Sequence, residues 1–151
     1  MKNRIELLQR HIDMITEGGS RFVERHMHSV ANFSAMLAQK RGLNDELATM
    51  IGMLHDIHTL LTSDPENHAE HGSLKAREIL DELGILSACE TDTICTAVKN
   101  HSSKALVQDA YSELIKDADV LSHYFFNVTA LVAEHEKTRI AALKEELGLS
   151  L

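Results

Sequence analysis

Apolar positions recur at three- and four-residue spacing along most of the chain, the period of a helix with one buried face. Ile5, Leu8, Ile12 and Ile15 mark a first helix over 3–17, ended by Gly18-Gly19. Ser20 suits the N-cap of a second, over 21–41, with Phe22, Val23, Val30, Phe33, Met36 and Leu37 as its stripe and Arg41-Gly42 as its close. Asn44 caps a third helix. Asp45 and Glu46 sit in its first turn, where the dipole favours them, and Leu47, Met50, Ile51 and Leu54 form its face. Residues 62–67 (TSDPEN), around the only proline, read as a loop. A fourth helix over 68–83 stops at Gly84, and Ser87 with Glu90 has the capping-box spacing that opens a fifth, running to Asn100. Beyond the polar break His101-Ser102-Ser103-Lys104, a sixth helix over 107–125 and a seventh over 128–147 complete the pattern, the last carrying Leu131, Val132, Ile140, Leu143 and Leu147. No repeat, low-complexity tract or linker interrupts it. The expected fold class is all-α: one domain over 1–151, a bundle of about six to seven helices, with its core at 21–125 and terminal helices packed on it.

Composition sharpens this picture. A chain of 151 residues can bury a real core. With 4% aromatics and no Trp, that core must rest on Leu, Ile, Ala, Val and Met, a set that favours helices. One Pro and seven Gly leave little turn chemistry for an all-β fold. A net charge of −8 would repel an extended phosphate backbone, so no extended nucleic acid is expected as partner. Cys89 and Cys95 are too few for a disulfide frame and read as free thiols of a reducing compartment, so the expected location is cytoplasmic. The opening residues MKNRIELLQRHID lack the apolar core of a signal peptide, and no apolar run reaches a membrane span. Ten histidines are many for this length, and histidine is the commonest metal ligand.

The candidate chemistry starts at Met53-Leu54-His55-Asp56-Ile57, an imidazole and a carboxylate flanked by apolar residues. Burying such a pair is costly without a partner, and a divalent cation suits nitrogen and oxygen donors together. Other segments offer more donors. His26 falls on the buried stripe of the second helix, three residues after Val23 and four before Val30, whereas His28 points away. Asp119 shares a face with Ile115, and His71 and His101 stand at helix ends.

The ordered set His26…Val30-Ala31, Leu54-His55-Asp56-Ile57, His71-Gly72-Ser73, Val98-x-x-His101 and Asp117-Ala118-Asp119-x-Leu121 resembles the HD-domain metal-dependent phosphohydrolase superfamily, over about residues 21–125. The resemblance implies a helical bundle with a central metal site. It implies that His26, His55, Asp56 and Asp119 bind a first divalent ion, with Asp117 the rival of Asp119. His71 and His101 match the extra histidines of two-metal members, where Asp56 bridges; the alternative for each is an outer hydrogen-bond donor or a phosphate contact. The implied cofactor is one or two transition-metal ions, Fe, Mn, Ni or Zn rather than Mg.

The function this implies is hydrolysis of a phosphate ester or anhydride in a nucleotide or other small phosphorylated compound, with Asp56 at its centre. A divalent ion lowers the pKa of bound water, and two of them about 3.5–4 Å apart clamp attacking and leaving oxygens. Arg25 and Lys104 are the cations best placed for the substrate phosphate. Many members carry HD-x-G-K; here His58 and Thr59 stand in place of that Gly and Lys. His58 either takes the lysine's part or the part of an acid, or is a plain histidine at a helix end. The alternatives to a phosphohydrolase are a di-iron oxygenase of the same fold, which the missing lysine favours slightly, and a non-catalytic ligand-binding module. A homodimer is compatible with the sequence, and a membrane is not an expected partner.

Overall fold

A computed structural model describes residues 3–150. The elements it contains are helices: α1 (Arg4–Ile15), α2 (Arg21–Arg41), α3 (Asp45–Leu54), α4 (Ile57–Thr62), α5 (His68–Leu83), α6 (Ala88–Asn100), α7 (Ala110–Phe126) and α8 (Lys137–Leu147), with a 3-10 turn at Glu134–Glu136 before the last. The caps follow the sequence signals. Ser20 Oγ accepts from Val23 N–H and Asn44 Oδ1 from Leu47 N–H, while Ser87 and Glu90 form the reciprocal capping box. Gly42 closes α2 at φ 70°, the left-handed region glycine adopts without strain.

The core is aliphatic, as the composition requires. Leu8, Val30, Leu37, Met50, Ile51, Leu54, Ile94, Val98, Leu114 and Leu121 are fully buried. α2 packs most extensively on α3 and on α7, and α5 packs on α6. The α2–α3 contact depends on Gly52: a Cβ there would stand 2.5 Å from Ala31 Cα and 2.7 Å from Ala31 N. No side chain fits, so the two backbones approach there as only glycine allows. α1 is held by Arg4, which bonds to Glu46 of α3, to Glu90 of α6 at 3.1 Å and to the Ile85 carbonyl at 3.2 Å.

Three boundaries differ from expectation, each for a local reason. The helix bearing the His-Asp pair breaks there: His55 stays helical, Asp56 turns to φ −112°, ψ 22°, and α4 begins as a separate short helix. The sixth expected helix starts at Ala110 rather than 107, because Asp109 caps it by accepting from Ser112 N–H. The seventh starts at Lys137 rather than 128. Asn127 leaves the helical region, and its Oδ1 accepts from the Thr129 N–H and hydroxyl, a side-chain turn that competes with helix continuation. Leu131, expected in an apolar stripe, is fully exposed on that connection. Phe22 and Met36, expected on the buried face of α2, are also exposed. Among the described residues no helix is long and apolar enough to cross a membrane.

Candidate metal centre

Three histidines are aimed by the same local device. His55 donates its Nδ1–H to the Gly52 carbonyl at 2.7 Å, His101 to the Val98 carbonyl at 2.7 Å, and His68 to the Pro65 carbonyl at 3.1 Å. Each acceptor lies three residues back. His55 and His101 occupy the C-caps of α3 and α6, where carbonyls lack helical partners, so the ring satisfies one of them and is fixed by it. His26, on α2, gives its Nδ1–H to Ser122 Oγ at 3.1 Å, and Ser122 donates on to Ser29 Oγ at 2.9 Å. With every Nδ1 proton directed outward, all four Nε2 atoms face inward. Histidines that bind metals show this arrangement, the outer hydrogen bond fixing tautomer and ring orientation.

The four inward nitrogens meet in two pairs. His26 and His55 stand Nε2 to Nε2 at 3.3 Å, and His68 and His101 at 3.1 Å. Asp56 lies between the pairs. Its Oδ2 is 3.3 Å from His55 Nε2 and 3.5 Å from His26 Nε2. Its Oδ1 is 3.3 Å from His101 Nε2 and 3.7 Å from His68 Nε2. Asp119 Oδ1 completes the first group, 2.9 Å from His26 Nε2 and 3.8 Å from His55 Nε2.

With each Nδ1 already committed to an outer acceptor, the paired Nε2 atoms can turn their lone pairs onto one shared cation, a place that a proton takes when no ion is bound. Nitrogen ligands about 2.1 Å from one ion and at right angles stand about 3 Å apart, close to both observed separations. The donor set therefore fits a divalent metal. His26, His55 and Asp56 form one group able to hold an ion, Asp56, His68 and His101 a second, and His26, Asp119 and His123 a third that overlaps the first.

Charge is tightly balanced at the centre. Burial disfavours the ionised form of Asp56, but the His55 charge and hydrogen bonds from His101 and His55 outweigh it, holding the carboxyl far below the usual range. Burial likewise opposes the Asp119 charge, and the His26 hydrogen bond and the Lys104 charge overcome it. Burial lowers His55, but the Asp56 charge and hydrogen bond, with Asp119, raise it to about 9. For His101 burial dominates and the pKa falls.

Most of the residues singled out from sequence converge here. His26, His55, Asp56, His101 and Asp119 lie within the groups above. Lys104 is beside them, its Nζ 2.6 Å from Asp119 Oδ2 and 3.2 Å from the His101 carbonyl. Arg25 is exposed, on the groove that also exposes His26. His71 is not brought in. Asn67 enters α5 at φ 49°, which turns His68 back onto Pro65 and inward, while His71 is exposed with its ring edge-on to His58 at 4.8 Å. His58 belongs to none of the groups, and its buried Nε2 has no hydrogen-bond partner. Asp117 serves the scaffold instead, bonded to Arg41 at 2.8 Å and Arg139 at 3.1 Å.

The ligand set expected from the sequence included neither His68 nor His123. The His123 ring stacks on His26 at 4.9 Å and 7°, and its Nε2 is 3.5 Å from Asp119 Oδ1. Buried Glu136 accepts from its Nδ1 at 2.8 Å and raises its pKa. The one-turn spacing from Asp119 was the available signal; Glu136 lies beyond an irregular connection and had none.

This chain is similar to several known proteins. It is 31% identical to Ribonuclease Y of Rhodopirellula baltica over 103 residues, a match covering 68% of this chain but only 18% of that protein's length. Its fold is similar to the crystal structure of a predicted HD superfamily hydrolase from an uncultured Thermotogales bacterium, with a TM-score of 0.61 and 18% identity, covering 97% of this chain and 96% of that one. The HD domain family matches residues 23–124, a span that contains both histidine pairs, Asp56 and Asp119: the chain belongs to the HD domain family.

Proposed function

We propose that the chain is a metal-dependent phosphohydrolase that cleaves a phosphate ester or anhydride of a small phosphorylated compound. The observation that carries this reading is Asp56 with one oxygen toward each pair of inward Nε2 atoms. His26, His55, Asp56 and Asp119 would hold one ion, and Asp56, His68 and His101 a second. His68 thus takes the part that the family resemblance gave to His71. Histidine and carboxylate donors together suit Mn, Fe, Ni or Zn better than Mg. Bound there, such ions supply an acidified water and polarise the phosphoryl oxygen.

The chain's own groups bind and orient. Lys104 Nζ, held by Asp119 and the His101 carbonyl, sits where it can turn to a substrate oxygen. Arg25 offers a second cation from the groove beside His26. Ser122 and Ser29 fix the His26 ring, and Glu136 fixes His123 with its Nε2 toward Asp119. The similarity to Ribonuclease Y over this region supports phosphate-ester chemistry, and the net charge of −8 favours a small substrate over a long polyanion.

The test is phosphate release from a panel of phosphomonoesters and nucleotides by Mn-, Fe-, Ni- and Zn-loaded protein, with Asp56→Ala as control. Cleavage that vanishes in the variant, together with its bound metal, supports the reading. No cleavage of any ester, with oxygen uptake by the iron-loaded protein, favours the di-iron oxygenase instead.

A further inference from the structure

The chain has four phenylalanines, and all four line one groove. Phe22 and Phe33 come from α2, Phe125 and Phe126 from the end of α7. Phe22 is 63% exposed and Phe126 76%, so they contribute little to the core. Their rings are nonetheless ordered against each other. Phe22 and Phe126 meet edge to face, with centroids 5.7 Å apart, and Phe33 stacks on Phe125 at 5.8 Å.

The groove holds about 480 Å³, within the range of small-molecule sites. It runs into the metal centre, because His26 and His123 are part of its lining, and Arg25 lies along it. The lining contains no Leu, Ile, Val or Met, although those residues build the core everywhere else. An aliphatic tail would be served by branched side chains. Phenyl faces and edges select a flat ring, by stacking and edge-to-face contact.

We infer that this groove is a base-binding subsite, taking the aromatic ring of a nucleotide whose phosphate reaches the metal centre, with Arg25 on the phosphate. The inference rests on the phosphohydrolase reading and narrows its substrate class to nucleotides. The competing occupant of the exposed phenyl rings is a second copy of the chain.

Calorimetric binding to metal-free and Zn-loaded protein tests it, with adenosine 5′-monophosphate, ribose 5-phosphate and octyl phosphate as probes. The base-bearing probe is expected to bind about tenfold more tightly than the other two, the scale of one stacked base. Phe22→Leu with Phe126→Leu should remove that advantage and leave ribose 5-phosphate binding and the thermal melt unchanged, since both rings are exposed. Equal binding of the two sugar phosphates, tighter binding of octyl phosphate, or no binding of the nucleotide overturns the inference. So does a dimer in sedimentation that the double variant dissociates. The two readings fail separately: base-selective binding without cleavage of any ester leaves the subsite and sinks the hydrolase, and cleavage without base preference does the reverse.

Discussion

His68 and His101 face each other Nε2 to Nε2 at 3.1 Å while each gives its Nδ1 proton to the carbonyl three residues back. With both Nδ1 protons committed outward, the two Nε2 atoms are placed to share one cation. His71, three residues from His68, has no such position. Replacing His68 or His101 with Gln is therefore expected to halve the metal-to-protein ratio from two to one, whereas His71→Gln leaves it at two. Elemental analysis of purified, Mn-saturated protein reads this directly.

The close approach of α2 and α3 sets the first group. Gly52→Ala places a methyl 2.5 Å from Ala31 Cα, and backbone cannot yield as a flexible side chain would. Overpacking of this kind costs about 1–3 kcal/mol. Because Gly52 also accepts from His55, the shift should separate His55 from His26 and weaken metal binding. Urea denaturation and a metal titration measure the two effects.

The two aspartates of Asp117-Ala118-Asp119 should separate cleanly. Asp119→Asn removes a carboxylate oxygen 2.9 Å from His26 Nε2 and should abolish tight binding at the first group. Asp117→Asn loosens Arg41 and Arg139 and should lower stability by about 1–3 kcal/mol with metal content unchanged. Arg139 also holds the Lys104 and Leu106 carbonyls, so Arg139→Ala should reduce turnover through Lys104 without releasing metal. Denaturation and metal analysis on the three variants distinguish these roles.

Metal-free protein should lose stability as pH rises. Burial alone would lower His55, but Asp56 and Asp119 raise it to about 9, against about 6.5 for an unfolded histidine. A raised folded pKa contributes stability that is complete below pH ~6.5 and is lost on the way to about 9. His123, raised chiefly by its hydrogen bond to Glu136, adds the same sign. Asp56 and Asp119, held low, stay ionised across this window; what they contribute is lost only in acid, below about pH 4. An ion replaces the His55 proton, so the stabilisation it gives should grow over the same window. Thermal melts at pH 6.5 and pH 9, with and without Mn²⁺, check both signs; a metal-free melt that does not move contradicts the account.

Much of the bundle was legible because helix signals are local. The apolar period, the Ser20, Asn44 and Ser87 caps and the glycine stops lie within a turn of what they specify. The same holds for His26, His55 and Asp56. The choice between His68 and His71 was not local: it turns on the positive φ of Asn67 and the reach of the Pro65 carbonyl, neither of which a spacing reveals. The clustering of Phe22 and Phe33 with Phe125 and Phe126 is a tertiary event, produced by α2 lying along α7. Gly52 carried a readable sign, a glycine inside an apolar helical run, but its cause, the Ala31 backbone, lies on another helix.

Anomalous diffraction from crystals of the Mn-loaded protein decides whether Asp56 joins a pair of ion sites. Two peaks are expected, one among His26, His55 and Asp119 and one beside His68 and His101, with Asp56 between them. A single peak, or a second peak at His58 and His71, would contradict that arrangement.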